Sequence, residues 1–326
     1  MIDLSIVVVN SNSTAYLLKC LKSIYQHTHE ATFEIVVIDN ASSDGDIAVV
    51  RQQYPNVRVL ENEINLGFAR ANNLGFRVTV GEYVLFLNPD TILLNAALDL
   101  MLRRIRTLPS AGAVGCTLLN EDLSIQTSAI QTFPTIFNQM LDLDVLRNRF
   151  PACRLWNFAP LLTGGTEPSS VEVISGACMM FKRNTLAQIG LFSEEYFMYA
   201  EDLDLCYRAA QAKLVNYYIP QAQIVHYGGK SSVYKSAVVL KWTSILHYIE
   251  RFHGYRYKMA FRSVIAASAL LRLAVLLIAV SLSGKDRRHN RYIAIQKWWL
   301  ILSTMASLTE RKPKPLDQKT VKEGTH

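Results

Sequence analysis

Two short runs set the pattern at the start of the chain: "LSIVVVN" (residues 4–10) and "FEIVVIDN" (residues 33–40) are continuously apolar, rich in Val and Ile, and end in polar residues. Such runs predict parallel strands buried on both faces. Between them Leu17, Leu21, Ile24 and Tyr25 recur at helical spacing, so the opening reads β-α-β. Residues 56–62 predict a third strand, 69–79 a helix, and 82–90 a fourth strand ending at Asp90. Strands alternating with helices imply an α/β fold with a mostly parallel sheet, whose ligands lie beyond the carboxyl ends of the strands. Asn10, Asp39 and Asp90 all fall at such ends.

Periodicity weakens over residues 117–171, where Pro134, Pro151, Pro160, Pro168 and the pair Gly164-Gly165 stand among aromatics. This stretch predicts an excursion over the site rather than a separate domain. "SVEVISGACMMF" (residues 170–181) returns as a strand, followed by a helix near residues 183–188, a carboxylate cluster, and a further strand near residues 215–219.

After about residue 235 the pattern changes. Residues 237–252 are amphipathic, and Val264 to Leu282 are nearly continuously apolar. Nineteen helical residues span about 28 Å, close to the thickness of a bilayer's hydrocarbon layer. Arg272 interrupts the middle at a cost of roughly 2.5–3.5 kcal/mol, against about 3–6 returned by the Leu, Ile and Val residues. Both flanks are basic, with Arg256, Lys258 and Arg262 before and Lys285, Arg287, Arg288 and Arg291 after. The expectation is therefore helices lying in, or re-entering, the cytoplasmic leaflet, with Trp298 and Trp299 at headgroup level. A buried core helix of a soluble domain is the alternative.

Composition sharpens this division. Half of the 326 residues are apolar and 19% are charged, which excludes a disordered chain. From Arg251 onward there are 15 Lys and Arg against 4 Asp and Glu, so the formal charge of +7 belongs to the tail. That points to an anionic membrane surface and not to nucleic acid. The expected organisation is a catalytic-type α/β domain over residues 1–235, membrane-associating helices over 236–310, and a disordered tail over 311–326. The five cysteines are scattered and include no C-x-x-C pair, arguing against a disulfide framework or a thiolate zinc site and for a reducing compartment. The first residues lack the basic start and long apolar stretch of a secretory signal, so they read as the first strand of a cytosolic domain.

Four places carry candidate chemistry. Asp39, followed by "NASSDGD", suits either a tight turn or a hydrogen bond to a nucleotide base. In "LFLNPDT", Asn88 and Asp90 present two oxygen-bearing side chains at a strand end, as a plain turn or as an anchor for Mg²⁺, which needs few carboxylates when phosphate oxygens are present. His226 precedes Gly228-Gly229, a setting in which a histidine can approach a metal or phosphate, with Lys230 and Ser231 as phosphate neighbours. In "EEYFMYAEDLD", Glu201, Asp202 and Asp204 open a helix. Capping explains one or two acids there, while Tyr196, Phe197, Met198 and Tyr199 form an aromatic wall suited to a sugar or a cleft. Asp204 reads as structural.

Taken in order, "SIVVVNSNS", "IVVIDNASSDG", "NLGFARANNLGF", "LFLNPDT", "SGACMMFKR", "GLFSEEYFMYAEDLDLCYR" and "IVHYGGKSS" resemble the family 2 glycosyltransferases of the GT-A fold, especially bacterial rhamnosyltransferase-like members. The resemblance implies a Rossmann-like mixed sheet and inverting transfer of a sugar from a nucleotide-sugar, assisted by Mg²⁺ or Mn²⁺. It implies that Asp39, Asn10, Asn88 and Arg70 contact the nucleotide, and that Asp90 and His226 hold the metal. Asn88 stands where many relatives have the first Asp of D-x-D. Asp202 would be the general base, with Glu201 supporting the base or the acceptor. The basic amphipathic tail points to a polyprenyl-diphosphate-linked glycan acceptor and a place at the cytoplasmic face of the bacterial inner membrane, because it holds the site near anionic headgroups. A non-catalytic scaffold that keeps the fold is the competing reading. A dinucleotide-dependent oxidoreductase is disfavoured because no G-x-G-x-x-G follows the first strand.

Overall fold

The computed structural model describes residues 2–45, 47–162, 164–228, 234–281 and 285–307. Its elements begin with β1 (Leu4–Asn10), α1 (Thr14–His27), β2 (Phe33–Asn40), α2 (Ala48–Gln53), β3 (Arg58–Asn62), α3 (Gly67–Arg77), β4 (Tyr83–Leu87), β5 (Thr91–Leu93), α4 (Ala97–Thr107) and β6 (Ala111–Leu119). Then come β7 (Ile130–Gln131), α5 (Ile136–Met140), α6 (Asp144–Arg149), α7 (Ala159–Leu162), β8 (Ser169–Val171), β9 (Val173–Ile174) and β10 (Cys178–Lys182). The remainder is α8 (Arg183–Ile189), α9 (Glu201–Gln211), β11 (Val215–His226), α10 (Tyr234–Ser281) and α11 (Lys285–Ala306). Two compact units result, one of Met1–Phe133, Arg147–Phe197 and Glu201–Ser231, the other of Pro134–Leu146, Met198–Ala200 and Ser232–His326.

The first unit is built on one nine-stranded sheet in the order β3-β2-β1-β4-β10-β6-β11-β5, with β8 beside β11. The block β3-β2-β1-β4 is parallel, as the buried apolar runs predict. Beyond it the sheet is mixed: β10 runs antiparallel to β4 and β6, β11 parallel to β6, and β5 antiparallel to β11. Every residue of β1 and of β4 is buried, because helices cover both faces of a crossover-built sheet. The strand order reverses between β1 and β4, so the crevice above their carboxyl ends is a topological switch point.

Three details differ from the pattern-based expectation. β4 stops at Leu87, not Asp90. Pro89 has no N–H to continue a ladder, and the Thr91 hydroxyl donates to the Asn88 carbonyl at 2.8 Å, closing a turn before β5. The expected strand over 170–181 is three short strands, broken where the Cys178 N–H returns to the Ser175 carbonyl at 3.2 Å. Tyr25 lies half outside the core and stacks on Tyr54, with ring centroids 5.5 Å apart. The five cysteines are unpaired.

The second unit is helical. Gly254, at φ +83°, kinks α10 at a backbone conformation that glycine tolerates without strain. After the kink Phe261, Ile265, Ala269 and Leu273 form a buried stripe at four-residue spacing, and α11 buries Ile301 and Met305. The opposite face leaves Leu270, Leu271, Val275, Leu277 and Ile278 exposed. Arg272 is not stranded among them: its guanidinium donates to the carbonyls of Met140 (2.7 Å) and Asp142 (2.9 Å) and lies 4.2 Å from the centre of the Trp298 ring. Arg262 donates to the carbonyl of Met305 near the end of α11 and to that of Ser307 just beyond it, and Lys258 pairs with Glu250 at 2.5 Å across the kink. Two of the three cations that precede the apolar run are thus engaged within the unit, leaving Arg256 exposed.

Candidate active site

Parallel register places Asn10 opposite Asp39 at the ends of β1 and β2. Asn10 Nδ2 donates to Asp39 Oδ1 at 2.9 Å and to Ser42 Oγ at 3.1 Å, while the Ser42 N–H donates to Asp39 Oδ2 at 3.2 Å. Both side chains are buried, and Asn10 Oδ1 has no protein partner among the described residues. A buried acceptor without a donor is costly unless a ligand or water supplies one. The neighbouring turn is held by Asp44, which accepts from the Thr14 N–H at 2.9 Å and so caps α1 in place of its own N-cap residue. Arg70 is not joined to this pair. It stands exposed on α3, its Nε 3.8 Å from Glu194.

At the end of β4, antiparallel pairing with β10 lets the Asn88 N–H donate to the Ala177 carbonyl at 3.0 Å. Register between β11 and β5 sets His226 opposite Thr91, next in chain to Asp90. His226 Nε2 therefore lies 3.5 Å from Asp90 Oδ1 and 3.3 Å from Asn88 Nδ2. Sequence reasoning missed Gln126, which meets His226 twice: its Nε2 donates to the His226 carbonyl at 2.5 Å, and its Oε1 is 3.0 Å from His226 Nδ1. No spacing signal announces it, because it sits in an irregular loop a hundred residues upstream. Lys230 and Ser231 lie outside the described residues.

Asp90 and His226 offer one carboxylate oxygen and one imidazole nitrogen. That set suits Mg²⁺ or Mn²⁺ when phosphate oxygens and water complete the coordination. Among the described residues no group of three or more His, Cys, Asp or Glu assembles.

The acids open α9 as expected. Tyr199 and Ala200, just before them, have φ of +67° and +64°, conformations that non-glycine residues rarely adopt and that concentrate at functional sites. Asp202 Oδ2 accepts from the Gly176 N–H at 2.9 Å and Oδ1 from the Leu203 N–H at 2.8 Å. The break between β9 and β10 is what supplies that N–H, so residues 175–177 tie the Asn88 backbone on one side to Asp202 on the other.

Glu201 differs from its neighbour: it is buried, and its Oε2 has no protein partner among the described residues. Burial first, and then the Asp202 charge, push its carboxyl well above the usual carboxylate range, favouring the protonated form. Asp204 is fully buried and structural, accepting from Arg208 Nε at 2.6 Å and from the Tyr196 hydroxyl at 3.2 Å. Tyr196 and Phe197 are consequently not an open wall. Both are buried, and the Phe197 carbonyl accepts the Phe68 N–H at 2.8 Å.

A family model described as glycosyl transferase family 2 matches residues 5–190. The chain is 31% identical over 242 residues to the N-acetylglucosaminyl-diphospho-decaprenol L-rhamnosyltransferase of Mycobacterium tuberculosis, covering 70% of this chain and 77% of that one. It is 23% identical to the rhamnosyltransferase WbbL of Escherichia coli, covering 68% and 82%. Among solved structures it resembles the mannosyltransferase PcManGT of Pyrobaculum calidifontis in complex with GDP-Man and Mn²⁺, with a TM-score of 0.58, 17% identity, and 93% and 88% coverage. The structure of GalNAc-T7 with UDP, GalNAc and Mn²⁺ is similar at a TM-score of 0.57 and 17% identity over 77% of this chain, which spans 48% of that one. These structural likenesses identify the GT-A fold. On the family model and the mycobacterial relative together, the chain belongs to glycosyl transferase family 2.

Proposed function

We propose that this glycosyltransferase moves one sugar, with rhamnose from dTDP-rhamnose as first choice, to a polyprenyl-diphosphate-linked glycan in a metal-dependent inverting reaction. The rhamnosyltransferase relatives support the donor, and the diphospho-decaprenol in the name of one of them supports the acceptor. The observation that carries the reading is the connection, through residues 175–177, between the strand end bearing Asn88 and Asp90 and the acid at Asp202.

In this reading Asp39 and Asn10 receive the base, the unsatisfied Asn10 Oδ1 accepting a donor from the nucleotide. Asn88 contacts the nucleotide beside them, and Arg70 reaches it on leaving its surface pair with Glu194. Asp90 and His226 hold a Mg²⁺ or Mn²⁺, which when bound offsets negative charge on the diphosphate. Asp202 takes the proton from the acceptor hydroxyl. The oxygen then attacks the anomeric carbon as the bond to the diphosphate breaks, and the nucleoside diphosphate carries away that electron pair. Asp202 suits this role because its two backbone N–H donors and the helix N-terminus favour the anion. Glu201, whose burial disfavours the charged form, lines the acceptor side instead.

The exposed apolar face of α10 supports a membrane-surface location for the second unit, on the cytoplasmic leaflet where lipid-linked precursors are built. The test is a panel of dTDP-, UDP- and GDP-sugars with Mg²⁺ or Mn²⁺ and a crude lipid-linked acceptor, scored by nucleoside diphosphate release. The expected result is metal-dependent release, highest with dTDP-rhamnose. Release with no donor of the panel, or undiminished release with a chelator, would reject the reading.

A further inference from the structure

We infer that Gln126 is a positioning residue that fixes the tautomer of His226 and thereby keeps its Nε2 lone pair facing Asp90. The inference rests on the proposed metal role of Asp90 and His226 only for its consequence, not for the tautomer itself.

A carbonyl oxygen cannot donate a hydrogen bond. The His226 carbonyl accepts from Gln126 at 2.5 Å, so the amide atom facing it is the NH₂. That orientation leaves the Gln126 carbonyl oxygen 3.0 Å from His226 Nδ1. An oxygen acceptor at that distance requires a hydrogen on Nδ1. A neutral imidazole carries one N–H, so Nε2 is left as an acceptor. The other side of the ring agrees, because the Asn88 amide stands 3.3 Å from Nε2.

With its N–H on Nδ1, Nε2 holds a lone pair beside the Asn88 amide at 3.3 Å and has Asp90 Oδ1 3.5 Å away, so no ring proton lies between this nitrogen and the carboxylate. Two acceptors brought face to face are stabilised by a cation. Were the proton on Nε2 instead, the ring would donate to Asp90 and the pair would satisfy itself. Gln126 holds the site out of that self-satisfied state. The device is local: its backbone is fixed by the Gln126 N–H to Leu118 carbonyl bond at 2.8 Å, and its carbonyl accepts the Ala129 N–H at 3.1 Å. Partners that orient a ligating histidine typically change metal affinity by roughly 10–100-fold when removed.

The experiment reads the tautomer directly. Full-length protein labelled with ¹⁵N-histidine is examined in alkaline buffer without metal, and the His226 signals are identified among the seven histidines by their loss in His226→Ala. Wild type should show the proton on Nδ1, Gln126→Leu should move it to Nε2, and Gln126→Glu, which still offers an oxygen, should keep it on Nδ1. A proton on Nε2 in wild type, or an unchanged ring in Gln126→Leu, overturns the inference.

Mn²⁺ titration of the same proteins tests the consequence. Gln126→Leu should bind roughly 10–100-fold more weakly, with Gln126→Glu close to wild type and Asp90→Ala as the reference for loss of a ligand. Unchanged binding in Gln126→Leu alongside loss in Asp90→Ala refutes the consequence. Absence of Mn²⁺ binding in wild type with the tautomers as expected refutes the metal reading and leaves the role of Gln126 standing.

Discussion

Two adjacent carboxylates at the start of one helix have been given unlike surroundings. Asp202 accepts two backbone N–H groups, whereas Glu201 is buried beside it with an unpartnered oxygen. Because burial raises the folded-state value of Glu201, the folded chain binds more protons than the unfolded one once pH exceeds the unfolded value of about 4.3. Stability is therefore lost as pH rises above that point, at up to about 1.4 kcal/mol per unit, until the folded value is passed. Glu201→Gln removes this loss. Its denaturation midpoint should equal that of wild type near pH 4 and exceed it progressively as pH rises above the unfolded value, and parallel curves would show that Glu201 is not buried as an acid. The sequence made this pair visible as acids, and their order on the helix too. It could not separate them, because burial of one side chain depends on packing contributed by distant segments. Asp204 was legible as structural, since its partner Arg208 is one turn away.

Elements formed where local pattern and tertiary environment agree. The β1-α1-β2 unit is read directly from apolar runs and helical spacing, and so is the start of α9. The strand end at Asn88–Asp90 was displaced by three residues because a proline and a hydroxyl cap act there, and the break at 175–177 was invisible because its purpose is a contact to Asp202. Gly67 shows the same limit. At φ +80° it opens α3, and a Cβ at this position would stand 2.3 Å from the Phe197 carbonyl, the atom that accepts the Phe68 N–H. Gly67→Ala should cost about 1–3 kcal/mol of stability and weaken donor binding, since the loop before α3 borders the Asn40 side chain beside Asp39. Urea denaturation measures the first effect; a loss below about 0.5 kcal/mol would lie within the range of ordinary surface substitutions and would contradict the packing argument.

The chain comprises a sheet-based unit and a helical unit, and α10 in the latter carries exposed apolar residues. Arg272 looked from the sequence like a cost to spanning a bilayer, yet carbonyls of Met140 and Asp142 and the Trp298 ring occupy it. A helical pattern locates a charge on the chain but not the partner that neutralises it. The exposed residues Leu271, Leu277 and Ile278 can be changed without touching the buried stripe. Each such side chain is worth roughly 1.5–3 kcal/mol when taken from water to an apolar medium. Replacing all three by Gln should lower partition onto anionic vesicles by about a hundred-fold or more, with circular dichroism unchanged. Undiminished partition would remove that face from the membrane assignment.

In the proposed function Asp202 is the base of a nucleotide-sugar transfer carried out beside a separate donor site. Asp202→Asn keeps the shape and one of the two backbone hydrogen bonds, its NH₂ being unable to accept the other, and cannot take a proton. In one assay that follows donor binding and nucleoside diphosphate release with the lipid-linked acceptor, the variant should bind donor as wild type does and release product roughly a hundred- to ten-thousand-fold more slowly. Release near the wild-type rate, or loss of donor binding in step with release, would contradict the account.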